Sequence, residues 1–297
     1  MKRVLSVSLG SSLRDFAVET TVGGVRFRLM RRGTDGNIKK ACEIVGQADG
    51  QVDAIGLGGV NLAYHTGRHS FECASGIRIR RASKKTLVVD GWGFKSSYEA
   101  RVPQFVSDHV TSVARKRVLM VSVLDRWPLA KAFQDQGARI VVGDALFALG
   151  LPVPFVGLRF FETVCMLSMP LLSRVPIGRL YPLGARQHKS VPRFGRLFRL
   201  ADVVAGDFHM IRRYLPRSLH GAWVVTTTTT ADDRCLLRER GAAGVVTMTQ
   251  PIEGRTVGAN MLEAMACACA GQAVLNRSEL LDYWEQFGLK PCIMRFG

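Results

Sequence analysis

The feature that most constrains the fold is a strand–helix–strand run in the middle of the chain. Residues 117–123 are apolar enough for a buried strand, and residues 128–136 have the pattern of a helix. Residues 139–142 form a second strand, which ends at Gly143-Asp144. Two strands joined by a helix pair in parallel and leave their carboxyl ends on one edge of a sheet. The run therefore predicts a βαβ unit.

The same alternation of strand-like and helix-like segments extends through the rest of the chain, which indicates an α/β protein. A length of 297 residues exceeds the usual size of one core and fits two domains. We expect the second to be a Rossmann-like, mostly parallel sheet with helices on both faces. The predicted divisions are an N-terminal α/β substrate domain (1–113), a cofactor domain (114–275) with a helical insertion (145–200), and a C-terminal helix and tail (276–297).

The formal charge of +17 is carried by basic residues spread along the chain, without a nucleic-acid-binding motif. Solvated basic faces and attraction of an anionic cofactor or substrate both account for it, and nucleic acid is the least favoured partner. The seven cysteines are odd in number and scattered, which does not suggest a disulfide framework. We therefore expect a basic, cytoplasmic protein.

The most apolar stretch, residues 145–177, is interrupted by prolines and charges well short of the roughly 20 residues that span a bilayer. No transmembrane helix is predicted. Within it, residues 156–172 place Arg159 and Glu162 among apolar side chains. This pattern favours an interdomain or homodimer helix over a membrane-surface anchor.

The end of the βαβ unit suggests a nucleotide site. Asp144 follows the first strand by about 20 residues, where a dinucleotide-binding fold places the carboxylate that binds the adenosine ribose, and this position suits NAD better than NADP. The turn before the helix has no glycine, although Ser122, Asp125 and Arg126 are polar candidates there. A phosphate-binding turn and a purely structural turn both remain open.

Three later strands, at residues 202–205, 223–225 and 244–248, also end in polar residues. Ligands of open α/β sheets bind beyond the carboxyl ends of the strands, so these side chains are expected to meet in one crevice. The cofactor-binding candidates from this region are Asp207, Thr226, Thr227, Thr228 and Arg255.

Asp90 and Lys95 lie across a glycine-rich turn at a strand end, and they are the first candidates for an acid/base pair. An exposed surface turn is the alternative. His209 is a third candidate, for catalysis or contact with an anionic ligand. No metal site is predicted, because His65 and His69 lack a third ligand.

Several strings together resemble a bacterial family labelled quinate 5-dehydrogenase, which is distantly similar to shikimate and quinate dehydrogenases. They are Lys2-Arg3-Val4, Gly10-Ser11-Ser12, Gly33-Thr34-Asp35-Gly36, Gly56-Leu57-Gly58-Gly59, Asp90-Gly91, Gly143-Asp144 and Ala205-Gly206-Asp207-Phe208-His209. The resemblance implies nicotinamide-dependent oxidation of a cyclic polyol acid, with a substrate domain first and a cofactor domain second. Lys95 and Asp90 are the nearest counterparts of that family's catalytic residues.

The leading prediction is an NAD(P)-dependent oxidoreductase that acts on a hydroxy or keto acid, quinate-like or shikimate-like, in an interdomain cleft. Lys95 would donate or accept the proton with Asp90 as its partner, and Asp144 would hold the ribose. The alternative is a non-redox Rossmann-like protein that binds a nucleotide or an anionic metabolite. Association with nucleic acid or a membrane surface through the basic faces is a third hypothesis.

Overall fold

Two sheets rich in parallel strands, each covered by helices, build the part of the chain that the computed structural model describes, namely residues 1–180, 190–251 and 256–297. The elements of the first part are β1 (Lys2–Ser8), a 3₁₀ turn (Ser12–Arg14), β2 (Phe16–Val22), β3 (Val25–Gly33), α1 (Ile38–Ala48), β4 (Ala54–Gly58), β5 (Ala63–Thr66), β6 (His69–Glu72), α2 (Ala74–Arg80), β7 (Val88–Val89), α3 (Trp92–Ser97), a second 3₁₀ turn (Glu99–Arg101) and α4 (Val102–His109). The later elements are β8 (Arg117–Met120), α5 (Trp127–Asp135), β9 (Arg139–Val142), α6 (Asp144–Phe147), β10 (Phe155–Val156), α7 (Leu158–Leu172), α8 (Ile177–Leu180), α9 (Gly195–Leu200), β11 (Val203–Ala205), α10 (Phe208–Tyr214), β12 (Trp223–Thr226), α11 (Ala231–Glu239), β13 (Gly244–Thr247), α12 (Ala259–Cys269), α13 (Arg277–Gln286) and β14 (Cys292–Arg295).

The first sheet has the strand order β2-β3-β1-β4-β7. The strands β3, β1, β4 and β7 are parallel, and β2 pairs with β3 as an antiparallel edge. The chain leaves β1 toward one side of the sheet and returns through α1 to β4 on the other side. The order of the strands therefore reverses between β1 and β4, which is where an open α/β sheet forms a crevice.

The second sheet has the order β10-β9-β8-β11-β12-β13-β14. Its five central strands are parallel, and β10 and β14 close the two edges in the antiparallel sense. Leaving aside the antiparallel edges, the five parallel strands have the order 2-1-3-4-5 of a Rossmann-like, doubly wound sheet, with its reversal between β8 and β11. The predicted fold class is confirmed.

Both faces of the second sheet are buried. Successive side chains of a strand point to opposite faces of a sheet, and here each set enters a different core. Val118 and Met120 of β8 belong to a core that includes α5 and the first sheet. Leu119 and Val121 belong to a second core that includes α9, α10 and α11. Near-continuous apolar runs are typical of parallel strands covered on both sides, and they explain why these strands were visible in the sequence.

Helix α12 lies within the predicted segment 114–275, yet it packs against β1 and β4 of the first sheet. The close approach requires Gly56, since a Cβ there would lie 2.4 Å from the carbonyl oxygen of Asn260. The chain then continues through α13 and returns to the second sheet as β14, paired with β13. The last part of the chain thus joins the two sheets.

The predicted apolar helix is present as α7, and it is amphipathic. Its inner side buries Phe161, Cys165 and Met169, whereas Leu167 and Leu171 are 82% and 71% exposed. Pairing of two chains through this helix stays a prediction. None of the helices in the described ranges has both the length and the apolar character needed to cross a membrane.

Candidate functional site

The carboxyl ends of both sheets face one cavity of about 820 Å³. Ser8 and Gly58 bring the reversal point of the first sheet to its wall, and Ser122 and Asp207 bring that of the second sheet. A crevice at such a point is where open α/β sheets bind ligands. Here two crevices are joined, which makes this cavity the candidate site.

Lys95 reaches the cavity from α3. Its Nζ donates to Oδ1 of Asp125 at 2.7 Å and to Oδ1 of Asn61 at 3.2 Å. Burial is the largest influence and lowers the pKa of Lys95, but the attraction of Asp125 and Asp90 and the hydrogen bond to Asp125 together outweigh it, so the pKa lies above its usual value. Burial likewise opposes ionisation of Asp125, but Lys95 and then Arg126 lower its pKa to about 2. Lys95 is therefore a charged donor at neutral pH rather than a base.

The prediction that Asp90 is the partner of Lys95 is wrong. Asp90 lines the same cavity, but its carboxylate accepts from the backbone N–H of Leu62 at 2.6 Å and of Trp92 at 3.0 Å. The bond from Trp92 lies within the turn that leads into α3, and the bond from Leu62 ties this turn to the segment between β4 and β5. Asp125, predicted as a cofactor ligand, takes the position next to Lys95.

A buried ion pair lies behind Lys95. The guanidinium of Arg126 donates to Oε1 of Glu99, and the same oxygen accepts from the hydroxyl of Thr227 at 3.2 Å. The Nε of Arg126 is also 3.4 Å from Oδ2 of Asp125. Glu99 is fully buried and Arg126 is 5% exposed. The pair connects the 3₁₀ turn before α4 to the turn between β8 and α5, and it holds Asp125 in place.

The predicted ribose ligand, Asp144, binds its own chain. Its carboxylate accepts from the backbone N–H of Val123 at 2.8 Å and of Leu124 at 3.0 Å. Burial raises the pKa of Asp144 to about 7, against the lowering effect of these two donors. In a dinucleotide-binding fold the amides of this turn approach the pyrophosphate. Here they bind a carboxylate instead, so the turn does not fit a dinucleotide in the usual way.

Asp207 and His209 lie at the start of α10. The Asp207 carboxylate caps the helix by accepting from the backbone N–H of His209 at 2.8 Å. The His209 ring faces Arg14, with 2.6 Å between the guanidinium and Nε2. Burial lowers the pKa of His209 to about 4, so the ring is neutral and Nε2 accepts from Arg14. Gly206 is needed just before, because a Cβ there would lie 2.7 Å from Val121.

Most of the sequence-predicted candidates reach the cavity wall, which is formed in part by Asp90, Lys95, Ser122, Asp125, Arg126, Asp144, Asp207, His209, Thr227 and Thr228. Thr226 is buried inside the sheet and does not line the cavity. Arg255 lies outside the described residues.

Sequence reasoning missed polar residues of the site, among them Arg14, Arg31 and Asn61 on the cavity wall and Glu99 behind Arg126. Asn260, which the sequence places in a segment suited to an anion, lies in the first turn of α12 and donates from Nδ2 to Oγ of Ser6 at 2.8 Å. No local pattern marks Arg14, Asn61 or Glu99, because each meets its partner across a long separation in the chain.

Two sequence families match the chain, and both carry only a description of unknown function. The family described as Domain of unknown function (DUF8754) matches residues 93–296, which is more than half of the chain. The chain belongs to the DUF8754 family. The family described as Domain of unknown function (DUF8753) matches residues 3–90, so the two DUF matches meet between β7 and α3.

A search of curated proteins finds no match to this DUF8754 chain. Among solved structures, a hetero-hexameric glutamate dehydrogenase from Thermus thermophilus in its Leu-bound form aligns at 12% identity over 97% of this chain and 73% of its own, with a TM-score of 0.46. A putative malic enzyme (malate oxidoreductase) aligns at 12% identity over 96% and 84%, with a TM-score of 0.39. GanP, a glucose-galactose binding protein from Geobacillus stearothermophilus, aligns at 9% identity over 99% and 97%, with a TM-score of 0.38.

Proposed function

We propose that the DUF8754 chain binds a small anionic metabolite in the cavity between its two sheets. The observation that carries this proposal is the meeting of two strand-reversal points in one cavity whose polar end holds Arg14 and Lys95. Sites of this kind combine a preformed concave surface with a few converging polar groups.

Lys95 and Arg14, the cations at this end of the cavity, differ in how far neighbouring carboxylates already balance their charge. Lys95 pairs with Asp125 and Asn61, which leaves one of its three N–H donors for a ligand oxygen. Arg14 is half-buried and contacts neutral His209, and among the described residues no carboxylate lies within ion-pair distance of it. A planar guanidinium binds a carboxylate or phosphate through two parallel hydrogen bonds. Arg14 is therefore the first anchor for the anion.

Helix α12 also favours an anion in the cavity. Its first residues line the cavity, and no side chain caps its N-terminus. The free backbone N–H groups and the dipole of a helix N-terminus favour a negative charge. The start of α12 is thus a second favourable element for the same anion.

The NAD(P)-dependent oxidoreductase remains a prediction, and the test below includes it. In its favour, Lys95 is a charged donor that would polarise the carbonyl oxygen of a keto acid. Against it, the amides of the β8–α5 turn already bind Asp144. The geometry therefore supports anion binding more directly than dinucleotide binding.

The test is thermal unfolding of the protein with inorganic phosphate, citrate, quinate, NAD or NADP. A ligand present at about 100 times its dissociation constant adds roughly 2.7 kcal/mol to the unfolding free energy. We expect a clear rise with at least one of the first three compounds. A rise with NAD or NADP alone would instead favour the oxidoreductase.

The decisive variant is Arg14→Gln, and its matched control is Arg139→Gln. Arg139 is exposed at the opposite end of β9 from the cavity. Loss of a charge-assisted hydrogen bond of about 1.5–3 kcal/mol predicts roughly 10- to 150-fold weaker binding in Arg14→Gln and no change in the control. Equal affinity in both variants, or no binding by any of the five compounds, would overturn the proposal.

A further inference from the structure

The cavity has two chemically different ends. We propose that its ligand is an amphiphile, with an anionic head at Arg14 and Lys95 and a hydrocarbon part that lies along α7. This inference rests on the proposed anion-binding function and specifies the class of ligand.

The second end of the cavity is formed by residues 145–180 and is almost entirely apolar. Most side chains on this wall are aliphatic or aromatic, and they include Leu149, Leu151, Phe155, Phe161, Met169 and Leu172. The hydroxyl of Ser168 donates to the carbonyl oxygen of Val164 at 2.8 Å, so it does not call for a polar ligand atom. A compact polyol acid would gain no hydrogen bond from this wall.

The size of the cavity agrees with this reading. A volume of about 820 Å³ lies toward the upper part of the roughly 300–1,000 Å³ that is usual for sites of drug-sized ligands. A phosphate or a sugar acid at Arg14 would leave the apolar end unfilled. A hydrocarbon chain attached to the same head would cover that end and remove apolar surface from water.

The apolar wall also continues to the outer surface. Leu149 and Leu151 line the cavity and are 41% and 52% exposed. Of the thirteen exposed large apolar side chains within the described residues, eight lie in the segment 149–171. Exposed apolar surface concentrated in this way marks a place of contact with apolar matter. Here it gives the hydrocarbon part of a ligand an apolar path from the polar end to the outside.

The test compares inorganic phosphate with butyl, octyl and dodecyl phosphate by calorimetric titration below the micelle-forming concentrations. The head is constant, so only the chain changes. A gain of about 0.8 kcal/mol per buried methylene corresponds to roughly fourfold tighter binding for each added methylene, until the wall is covered. We expect the affinity to rise in this way from inorganic phosphate through butyl phosphate to octyl phosphate.

Two matched variants locate the chain. Leu151→Ser changes the cavity wall, and Leu167→Ser changes the exposed outer side of the same segment. Both side chains are more than half exposed, so neither change should prevent folding. We expect Leu151→Ser to weaken dodecyl phosphate several-fold without affecting inorganic phosphate, and Leu167→Ser to change neither.

The outcomes separate this inference from the function on which it rests. Equal affinity for inorganic and dodecyl phosphate would refute the amphiphile and leave anion binding standing. An equal loss in Leu151→Ser and Leu167→Ser would place the alkyl chain on the outer face of α7 and also refute it. Absence of binding by all four phosphates, and by citrate and quinate as well, would remove the anion-binding function itself.

Discussion

Replacing Glu99 by Gln removes the charge that balances Arg126 in the interior of the protein. Glu99 is fully buried and accepts from Arg126 and from Thr227. After the change, Arg126 keeps the Asp125 carboxylate, which is 3.4 Å from its Nε and already shared with Lys95, and the attraction of Asp207. One buried cation would then be poorly compensated.

The expected cost follows from that imbalance. Removal of one partner from a buried ion pair typically costs about 3–5 kcal/mol, because the remaining charge stays buried without its counterion. Partial compensation by Asp125 and Asp207 places Glu99→Gln near the lower end, at about 3 kcal/mol. The double variant Glu99→Met/Arg126→Met removes both charges and replaces them with apolar side chains. It should therefore lose less stability than Glu99→Gln alone.

The assay is urea-induced unfolding followed by circular dichroism, in which a change of midpoint at constant slope reports a change of stability. The control is Asp135→Asn, which breaks an ion pair with Lys131. The Lys131 side chain is 51% exposed and the Asp135 side chain is 56% exposed. Exposed helical pairs contribute about 0.3–0.5 kcal/mol. If Glu99→Gln costs no more than Asp135→Asn, or if the double variant is the less stable one, the reasoning is refuted.

Three further predictions concern the pH dependence of stability and close packing. Because the pKa of Asp144 in the folded protein, about 7, exceeds its unfolded value, the native state loses stability as pH rises from about 4 to 7, and Asp144→Asn should remove this loss. The pKa of His209 in the folded protein, about 4, lies below its unfolded value, so stability is lost as pH falls from about 6.5 to 4, and His209→Gln should remove that loss. The measurement is the melting temperature as a function of pH. If both variants show the same pH dependence as the native protein, these assignments are contradicted. Gly56→Ala should cost about 1–3 kcal/mol by forcing α12 off the first sheet, whereas Gly46→Ala, whose Cβ would meet nothing closer than 3.7 Å, should not destabilise; equal melting temperatures for the two would count against the packing argument.

The sheet strands were largely visible in the sequence because of their burial. A parallel strand covered on both faces is apolar at consecutive positions, as in β8 and β12, and such runs stand out between polar turns. Edge strands do not have this property. β2 alternates half-buried and exposed positions and was not predicted, and β14 is half exposed.

The polar candidates at the strand ends were also predictable, since parallel strands in one sheet carry their carboxyl ends to one edge. Lys95, Asp125 and His209 reach the cavity for that reason. Their partners were not predictable. Asp125 rather than Asp90 pairs with Lys95, and Arg14 meets His209 across 195 positions of the chain.

Local chemistry thus specifies which segments become strands and which polar groups follow them, because burial and turn formation act over a few residues. The choice of partners depends on how the two sheets face one another and on the return of α12 to the first sheet. Tertiary packing alone decides those contacts, since side chains far apart in sequence become neighbours only when the sheets are assembled. The carboxylate that the sequence suggested for a ribose therefore binds the turn amides of its own chain.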